Sequence, residues 1–220
     1  MSAVSIMLKK LKRLLLLLII ANILFIFWGK FFNPPLTFTQ IGAVMQYGKL
    51  ERNYISSDQM GSAVKKAVIA AEDQRFFVHN GFDYQAIEKA LQHNQKGKTV
   101  RGGSTISQQT AKNVFLWQGR SWIRKGFEAV YTFAIEKIWG KDIILERYLN
   151  SIEMGRGVFG VEAASKYYFG KSALNLTKSE AAWIAAVLPN PKKYDPKNPS
   201  AYLKRKHTWI LRQMKNVRLE

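Results

Sequence analysis

The sequence predicts a mainly α-helical protein with one transmembrane helix near its N-terminus. An uninterrupted apolar run, LLLLLIIANILFIFW, occupies residues 14–28. Beyond the stiff Pro34-Pro35 break, apolar residues recur at spacings of three and four, which is the period of amphipathic helices, and alternating strand-like runs are few. The length of 220 residues suits one domain behind such a segment.

The charge balance narrows the classes of partner. The chain carries 34 Lys and Arg against 15 Asp and Glu, a formal net charge of +19. Such an excess favours nucleic acid, phospholipid headgroups or a phosphorylated substrate. The absence of cysteine excludes disulfides, thiolate metal sites and a thiol nucleophile.

The apolar run is shorter than the roughly 17–25 residues of a typical spanning helix. Leu11, Phe31 and Phe32 extend it, giving a basic N-terminus at residues 1–13, an anchor at 14–32 and a domain at 33–220. A cleaved signal peptide is the alternative, but residues 29–35 offer no small-x-small cleavage site. Basic residues ahead of the run place the N-terminus in the cytoplasm and the domain outside. Nucleic acid then becomes a poor partner.

Capping residues and breakers predict the helices in chain order. The expected features are a helix from Ser57 to Phe77, a helix capped by Asp83, a polar loop at 98–103, a helix capped by Ser104, helices at 122–139 and 142–151, a helix opened by the capping box Thr177-Lys178-Ser179-Glu180, and a basic helix after Pro199-Ser200.

Three patterns imitate functional motifs. Residues 155–160, GRGVFG, have the spacing of a dinucleotide-binding loop, but the preceding segment is helical in pattern and no acidic residue follows about 20 positions later, so a bend between helices is expected. Ser62 and Lys65 form an SxxK pair without the S-D-N or K-T-G partners of penicillin-reacting enzymes. The histidines are too dispersed for a metal site.

Two glutamates are candidates for chemistry. Glu72 falls at the end of an apolar helix, where its charge opposes the helix dipole, and Phe76 and Phe77 could desolvate it, which suits a general base. An exposed helix-end carboxylate is the simpler interpretation. Glu128 follows Arg124 and Lys125 on one helix face; a surface ion pair is the default, and a second site carboxylate the alternative.

Residues 102–113, GGSTISQQTAKN, place two glycines before a helix start that is dense in hydroxyl and amide groups. Free N–H groups at such a start can bind an anion or a sugar, although a polar helix cap would look the same.

Five blocks, taken together, resemble the family-51 glycosyltransferases, which occur alone or as the first module of class A penicillin-binding proteins. The blocks are AAEDQRFFVHNGFD at 70–83, GGSTISQQTAKN at 102–113, RKGFE at 124–128, ILERYLN at 144–150 with 155–171, and EAA at 180–182 through Leu188-Pro189. The resemblance covers about residues 45 to 195. It implies a lysozyme-like helical domain, a lipid II substrate and a monofunctional enzyme without transpeptidase activity.

The resemblance also implies roles for individual residues. Glu72 would deprotonate the acceptor's 4-hydroxyl, and Glu128 would act on the donor side. Other positions would hold the donor diphosphate (Lys112, Arg124 and Lys125, with Lys171 a weaker candidate), contact substrate (Thr105, Gln109 and Asn113) or support the base and its loop (Asp73, Phe76 and His79). A divalent cation, Mg²⁺ or Mn²⁺, beside Glu128 is compatible with the family, but no cofactor is required. The expected partners are lipid II, the growing lipid-linked strand, membrane lipids and cell-wall synthesis proteins.

Two other classes remain as alternatives. A lytic, lysozyme-like enzyme would share the fold and a catalytic glutamate, but it would have no use for cations around a diphosphate. A non-enzymatic basic membrane protein that binds lipid headgroups or nucleic acid would not depend on Glu72.

Overall fold

The computed structural model describes residues 3–95, 97, 102–119 and 121–219. It confirms the mainly α-helical fold with one apolar N-terminal helix. Within the described residues the helices are α1 (Ala3–Phe31), α2 (Phe38–Tyr47), α3 (Ser62–Glu72), α4 (Tyr84–Gln95), α5 (Ile106–Phe115), α6 (Trp122–Ile138), α7 (Lys141–Ser151), α8 (Val161–Phe169), α9 (Lys178–Val187) and α10 (Ala201–Gln213).

Short strands β1 (Glu51–Arg52), β2 (Glu153–Gly155) and β3 (Val158–Phe159) form a small sheet of order β1-β3-β2. β3 pairs antiparallel with β2 and parallel with β1. The bend expected at residues 155–160 is therefore a hairpin. Strands of two or three residues are too short to show an alternating pattern, and β1 joins the hairpin from a distant part of the chain, so no local pattern predicts them.

Two helical groups build the core and bring the candidate residues together. α3, which ends at Glu72, packs against α9 and α10. α5 packs against α6 and α7, and therefore lies beside Glu128. Fully buried side chains such as Ile69, Ile106 and Ile184 fill the interior. Burial of these faces orients α3 and α5 rigidly.

Two predicted helix starts are wrong. The helix expected from Ser57 to Phe77 is a 3₁₀ turn at Ser57–Gln59 followed by α3, since the chain is extended at Gly61 and leaves the helix at Asp73. α5 is capped by Thr105 and not by Ser104: the Thr105 hydroxyl accepts from Gln108 N at 3.1 Å. Most of the expected loop at 98–103 lies outside the described residues.

The remaining caps are as predicted. The Asp83 carboxylate accepts from Ala86 N at 3.0 Å, and Thr177 and Glu180 form the capping box of α9. Ser200 caps α10. The expected helices at 122–139 and 142–151 correspond to α6 and α7 within one residue.

The C-terminal end of α1 is docked on α6 and α7. Trp139 Nε1 donates to Ile26 O at 2.7 Å, and the buried Arg147 guanidinium donates to Gly29 O at 2.9 Å and Lys30 O at 3.0 Å. A Cβ on Gly29 would lie 2.7 Å from the Trp139 ring, so only glycine allows this approach. Arg147 thus caps carbonyls that the end of α1 leaves without helical partners.

Candidate active site

Glu72 ends α3 and is half-buried. Its Oε2 accepts from Gln109 Nε2 at 3.0 Å, and Gln109 Oε1 in turn accepts from the Tyr148 hydroxyl at 3.0 Å. Because the tyrosine donates to the amide oxygen, the amide nitrogen is left to face Glu72. Glu72 Oε1 accepts no hydrogen bond from any described residue, which leaves one carboxylate oxygen for a ligand.

Tyr148 is a site residue that sequence reasoning missed. It is fully buried, and burial, reinforced by the charges of Glu72 and Asp73, raises its pKa well above that of an ordinary tyrosine. The hydroxyl therefore keeps its proton and remains a donor to Gln109. Its place in the block at 144–150 was the signal that could have identified it. A buried tyrosine in that block is expected to have a hydrogen-bond partner.

Asp73 supports the turn that follows Glu72. Its buried carboxylate lies 3.0 Å from His79 Nε2 and accepts from Ile106 N, in the first turn of α5, at 3.0 Å. Gly81 N donates to His79 Nδ1 at 3.1 Å, which assigns the ring proton to Nε2 and makes His79 the donor to Asp73. Asp73 and His79 therefore join the turn to α5, and their polar atoms are used within the protein.

Phe76 points into the core. It is fully buried, lies edge-on to Phe77, and has the Lys141 ammonium 4.6 Å from its ring centre. Its position suits support of the turn and not contact with substrate. The desolvation of Glu72 by Phe76 and Phe77 that the sequence suggested stays a prediction; the hydrogen bond that the structure gives Glu72 is from Gln109.

The second carboxylate, Glu128, lies inside α6 with only 3% of its surface exposed. Arg124 Nη1 is 3.5 Å from Glu128 Oε2, and Lys125 pairs with Oε1. The default interpretation of a surface ion pair is therefore wrong, because the carboxylate itself is buried. A buried carboxylate needs such partners, since desolvation without them would cost several kcal/mol.

Lys112 on α5 belongs to the same cluster. Burial lowers its pKa below that of an ordinary lysine; Glu128 and Glu72 oppose this shift, and Arg124 and Lys125 add to it. The structure gives Lys112 no ion pair with any described carboxylate. Lys112, Arg124 and Lys125 thus form a three-cation cluster around the single carboxylate of Glu128.

Buried donors without partners lie beside this cluster. Among the described residues, Asn113 Nδ2 and Arg124 Nε are buried and make no hydrogen bond. Leaving such a group unsatisfied costs about 1–3 kcal/mol, so their persistence points to a ligand that supplies acceptors. Phosphate oxygens would do so, with charge-assisted hydrogen bonds.

Two of the expected substrate contacts, Thr105 and Gln109, also make hydrogen bonds within the protein, and their contact with substrate stays a prediction. Thr105 caps α5 and also donates to Gly81 O at 2.7 Å, and Gln109 bridges Glu72 and Tyr148. Lys171 lies apart from the three-cation cluster: its Nζ is 2.9 Å from Glu180 Oε1. The hydrogen bond from Lys171, with those from Thr177, lowers the pKa of Glu180 to about 2. Lys171 thereby holds the capping box of α9.

Two clefts meet at the Gly103-Ser104 segment. One, of about 380 Å³, is lined by Glu72, Asp73, Arg75 and Trp209 together with this segment. The other, of about 260 Å³, is lined by the same two residues and Lys125. A Cβ on Gly103 would lie 3.2 Å from the Ile87 backbone, so a larger residue would press on α4. The segment therefore separates the cleft that Glu72 lines from the cleft that Lys125 lines.

The described residues at Glu128 do not form a cation site. No group of three or more His, Cys, Asp and Glu side chains able to hold a metal occurs in the described part of the chain. Both Glu128 oxygens already face Arg124 and Lys125, and these cations would repel a divalent ion.

Comparison with known proteins identifies the family of the chain. The family model described as "Transglycosylase" matches residues 39–215. A protein of Mannheimia succiniciproducens, named biosynthetic peptidoglycan transglycosylase, is 54% identical over 171 residues, covering 78% of this chain and 70% of that protein. Proteins with the same name from Shewanella oneidensis and Xanthomonas oryzae are 47% and 46% identical, over 94% and 92% of this chain and 91% and 85% of their own lengths. The chain belongs to the transglycosylase family, with its lysozyme-like helical domain.

Proposed function

We propose that the protein is a peptidoglycan glycosyltransferase that polymerises lipid II into β-1,4-linked glycan strands and releases undecaprenyl diphosphate. The observation that carries the proposal is that α5 joins two unlike sites, since its Gln109 bonds Glu72 and its Lys112 interacts with Glu128. On one side Glu72 has a free carboxylate oxygen beside an open cleft. On the other, the cations Lys112, Arg124 and Lys125 can bind an anion, and the buried donors Asn113 Nδ2 and Arg124 Nε have no partner in the protein.

The chemistry follows from these two sites. Glu72 takes the proton from the 4-hydroxyl of the acceptor's N-acetylglucosamine, and that oxygen attacks C1 of the donor sugar. The new C1–O4 bond forms as the C1–O bond to the diphosphate breaks, which inverts the α configuration to β. The leaving diphosphate is already a stable anion, so it needs no general acid. It needs positive charge, which Lys112, Arg124 and Lys125 supply.

Glu128 organises the cations on the donor side. Its carboxylate holds the side chains of Arg124 and Lys125 near Lys112, which would otherwise repel one another. Since three positive charges surround one negative charge, the cluster keeps an excess positive charge for the diphosphate. Asn113 and Arg124 add the hydrogen-bond donors that the protein leaves unpaired.

The placement at a membrane is part of the proposal. Within Val4–Phe31 of helix α1 lies an 18-residue window with a mean hydropathy of 2.3, and 11% of that window is buried against the protein. We take residues 14–32 of the chain as a single-pass anchor with residues 1–13 in the cytoplasm and residues 33–220 outside. Docking of α1 on Trp139 and Arg147 then holds the domain next to the bilayer.

Membrane lipids are the second expected partner. α6 exposes a stripe of apolar side chains on the domain that carries the three-cation cluster: Trp122, Ile123, Phe127, Val130 and Phe133. An exposed apolar stripe of this kind is typical of a surface that contacts lipid or protein. Contact with lipid would let a membrane-bound diphosphate reach the cations without leaving the bilayer surface.

The direct test is incubation of labelled lipid II with the detergent-solubilised full chain, followed by muramidase digestion. We expect a high-molecular-weight product that muramidase converts to disaccharide units. Soluble muropeptides released from finished glycan, with no polymer from lipid II, would instead identify a lytic enzyme.

A further inference from the structure

One face of α10 carries side chains that the donor and base sites do not use. Tyr202, Lys206, Trp209 and Gln213 are spaced by four, three and four residues, so they lie in one line along the helix. The neighbouring line, with Leu203 and Ile210 fully buried, fixes α10 in the core against α3 and α9. Core packing therefore sets the direction in which the first line faces.

That line forms a wall of the Glu72 cleft. Trp209 and Gln213 line the cleft of about 380 Å³ together with Glu72. Lys206 lies within electrostatic reach of Glu72: burial lowers the pKa of Lys206, and the Glu72 charge opposes that shift. None of the three cations of the donor cluster is among the described residues that line this cleft.

The chemistry of the wall differs from that of the donor cluster. Trp209 presents an apolar ring, 38% exposed, in a cleft whose other lining residues are small, hydroxyl-bearing, charged or amide side chains. A pyranose has an apolar C–H face with a rim of hydroxyls. Its C–H groups complement the negative face of an indole, and its rim can bond to Gln213 and Arg75. The volume lies within the roughly 300–1,000 Å³ of small-ligand sites.

We propose that Trp209 and Gln213 form a sugar-binding subsite for an N-acetylated pyranose of the glycan, in the cleft beside Glu72. The inference rests on the proposed function and deepens it, because it assigns the cleft to sugar and the three-cation cluster to diphosphate. The pyranose belongs either to the acceptor disaccharide or to the growing strand; both present the same ring chemistry.

The first experiment measures binding without polymerisation. A diphosphate-free tetrasaccharide, prepared by muramidase digestion of peptidoglycan, is titrated by calorimetry into the full chain in detergent. We expect Trp209→Ala to weaken its affinity at least tenfold. Trp209→Phe, which retains an aromatic face, should weaken it less than threefold. Lys204→Ala, an exposed change on the same helix, is the matched control, and circular dichroism checks that all variants are folded.

The second experiment measures polymerisation of lipid II. We expect Trp209→Ala to change one of two quantities. A higher KM for lipid II with kcat nearly retained identifies the bound sugar as the acceptor. Shorter strands at unchanged KM identify it as part of the growing strand. Normal tetrasaccharide affinity together with normal KM and strand length in a folded Trp209→Ala would overturn the subsite. A wild-type chain that makes no polymer, yet binds tetrasaccharide through Trp209, would leave the subsite standing and reject the proposed function.

Discussion

The two glutamates lie in opposite surroundings. Glu72 is half-buried, is held by the neutral amide of Gln109, and has an oxygen that no described residue contacts. Glu128 is 3% exposed and both of its oxygens face cations. A carboxylate oxygen that accepts no hydrogen bond from the protein is open to the hydroxyl of a substrate. Oxygens that are already paired with Arg124 and Lys125 are not.

This difference teaches how one residue type serves two purposes. At Glu72 the protein supplies orientation without neutralising the charge, through Gln109 and Tyr148. At Glu128 the carboxylate forms ion pairs with Arg124 and Lys125 and so holds them near Lys112. The following changes test this division of roles, beginning with the largest expected effect.

Glu72→Gln should lower the polymerisation rate by about 10³-fold, within the usual range for loss of a general base. The amide keeps the size of the side chain and can still accept from Gln109, so the fold should be unchanged. The rate is measured with labelled lipid II, and Glu88→Gln, an exposed change on α4, serves as control. A normal rate in a correctly folded Glu72→Gln would remove Glu72 from the mechanism.

Glu128→Gln should lower the free energy of unfolding by about 2 kcal/mol. Loss of the charge leaves Arg124, Lys125 and Lys112 to repel one another; the effect is smaller than for a fully buried pair because Lys125 is 44% exposed. Inorganic pyrophosphate should stabilise the variant less than the wild type, because Arg124 and Lys125 are no longer held in place to bind it. Thermal denaturation measures both, and equal stabilisation of the variant and the wild type would contradict this account.

Lys112 should give donor binding a distinctive pH dependence. Burial lowers its pKa, so in the window between this pKa and that of an unfolded lysine the unfolded chain binds more protons. Stability should therefore rise with pH across the window. Affinity for pyrophosphate should fall over the same window, as the ammonium loses its proton. In Lys112→Arg, whose guanidinium does not titrate there, both trends should be weaker, although Lys206 still contributes to the first. A parallel profile in both proteins would exclude Lys112.

Tyr148→Phe should have the smallest effect, about a fivefold loss of kcat. The change removes one hydrogen bond, worth about 1 kcal/mol, and allows the Gln109 amide to turn away from Glu72. The measurement is kcat for lipid II polymerisation, with pyrophosphate affinity as the comparison. Pyrophosphate affinity should be unchanged. A fall in this affinity equal to the loss of kcat would assign Tyr148 to the donor side and contradict its role beside Glu72.

The sequence was sufficient to predict most of the helices and to single out the two glutamates, but it did not predict α2 or α8. Periodicity located α6 and α7, and capping residues located α9 and α10, because both signals are local. Glu72 and Glu128 were identified because acidic residues are few and because the surrounding blocks resemble a known family. Their roles remain proposals that rest on geometry.

What the sequence could not supply depends on packing between distant segments. The burial of Glu128 arises from α5 lying against α6, and a local view favoured an exposed ion pair. Phe76 faces the core, and Lys171 pairs with Glu180, since both directions are set by tertiary neighbours. Trp209 falls outside the resembling blocks and reaches the cleft only because α10 folds back onto α3.

The most direct test of the division between the two glutamates is donor affinity, measured for lipid II with Glu72→Gln and Glu128→Gln under the same conditions. We expect Glu72→Gln to bind lipid II as tightly as the wild type while forming no polymer, and Glu128→Gln to bind it more weakly. Loss of affinity in Glu72→Gln with full affinity in Glu128→Gln would contradict the assignment of base and donor sides.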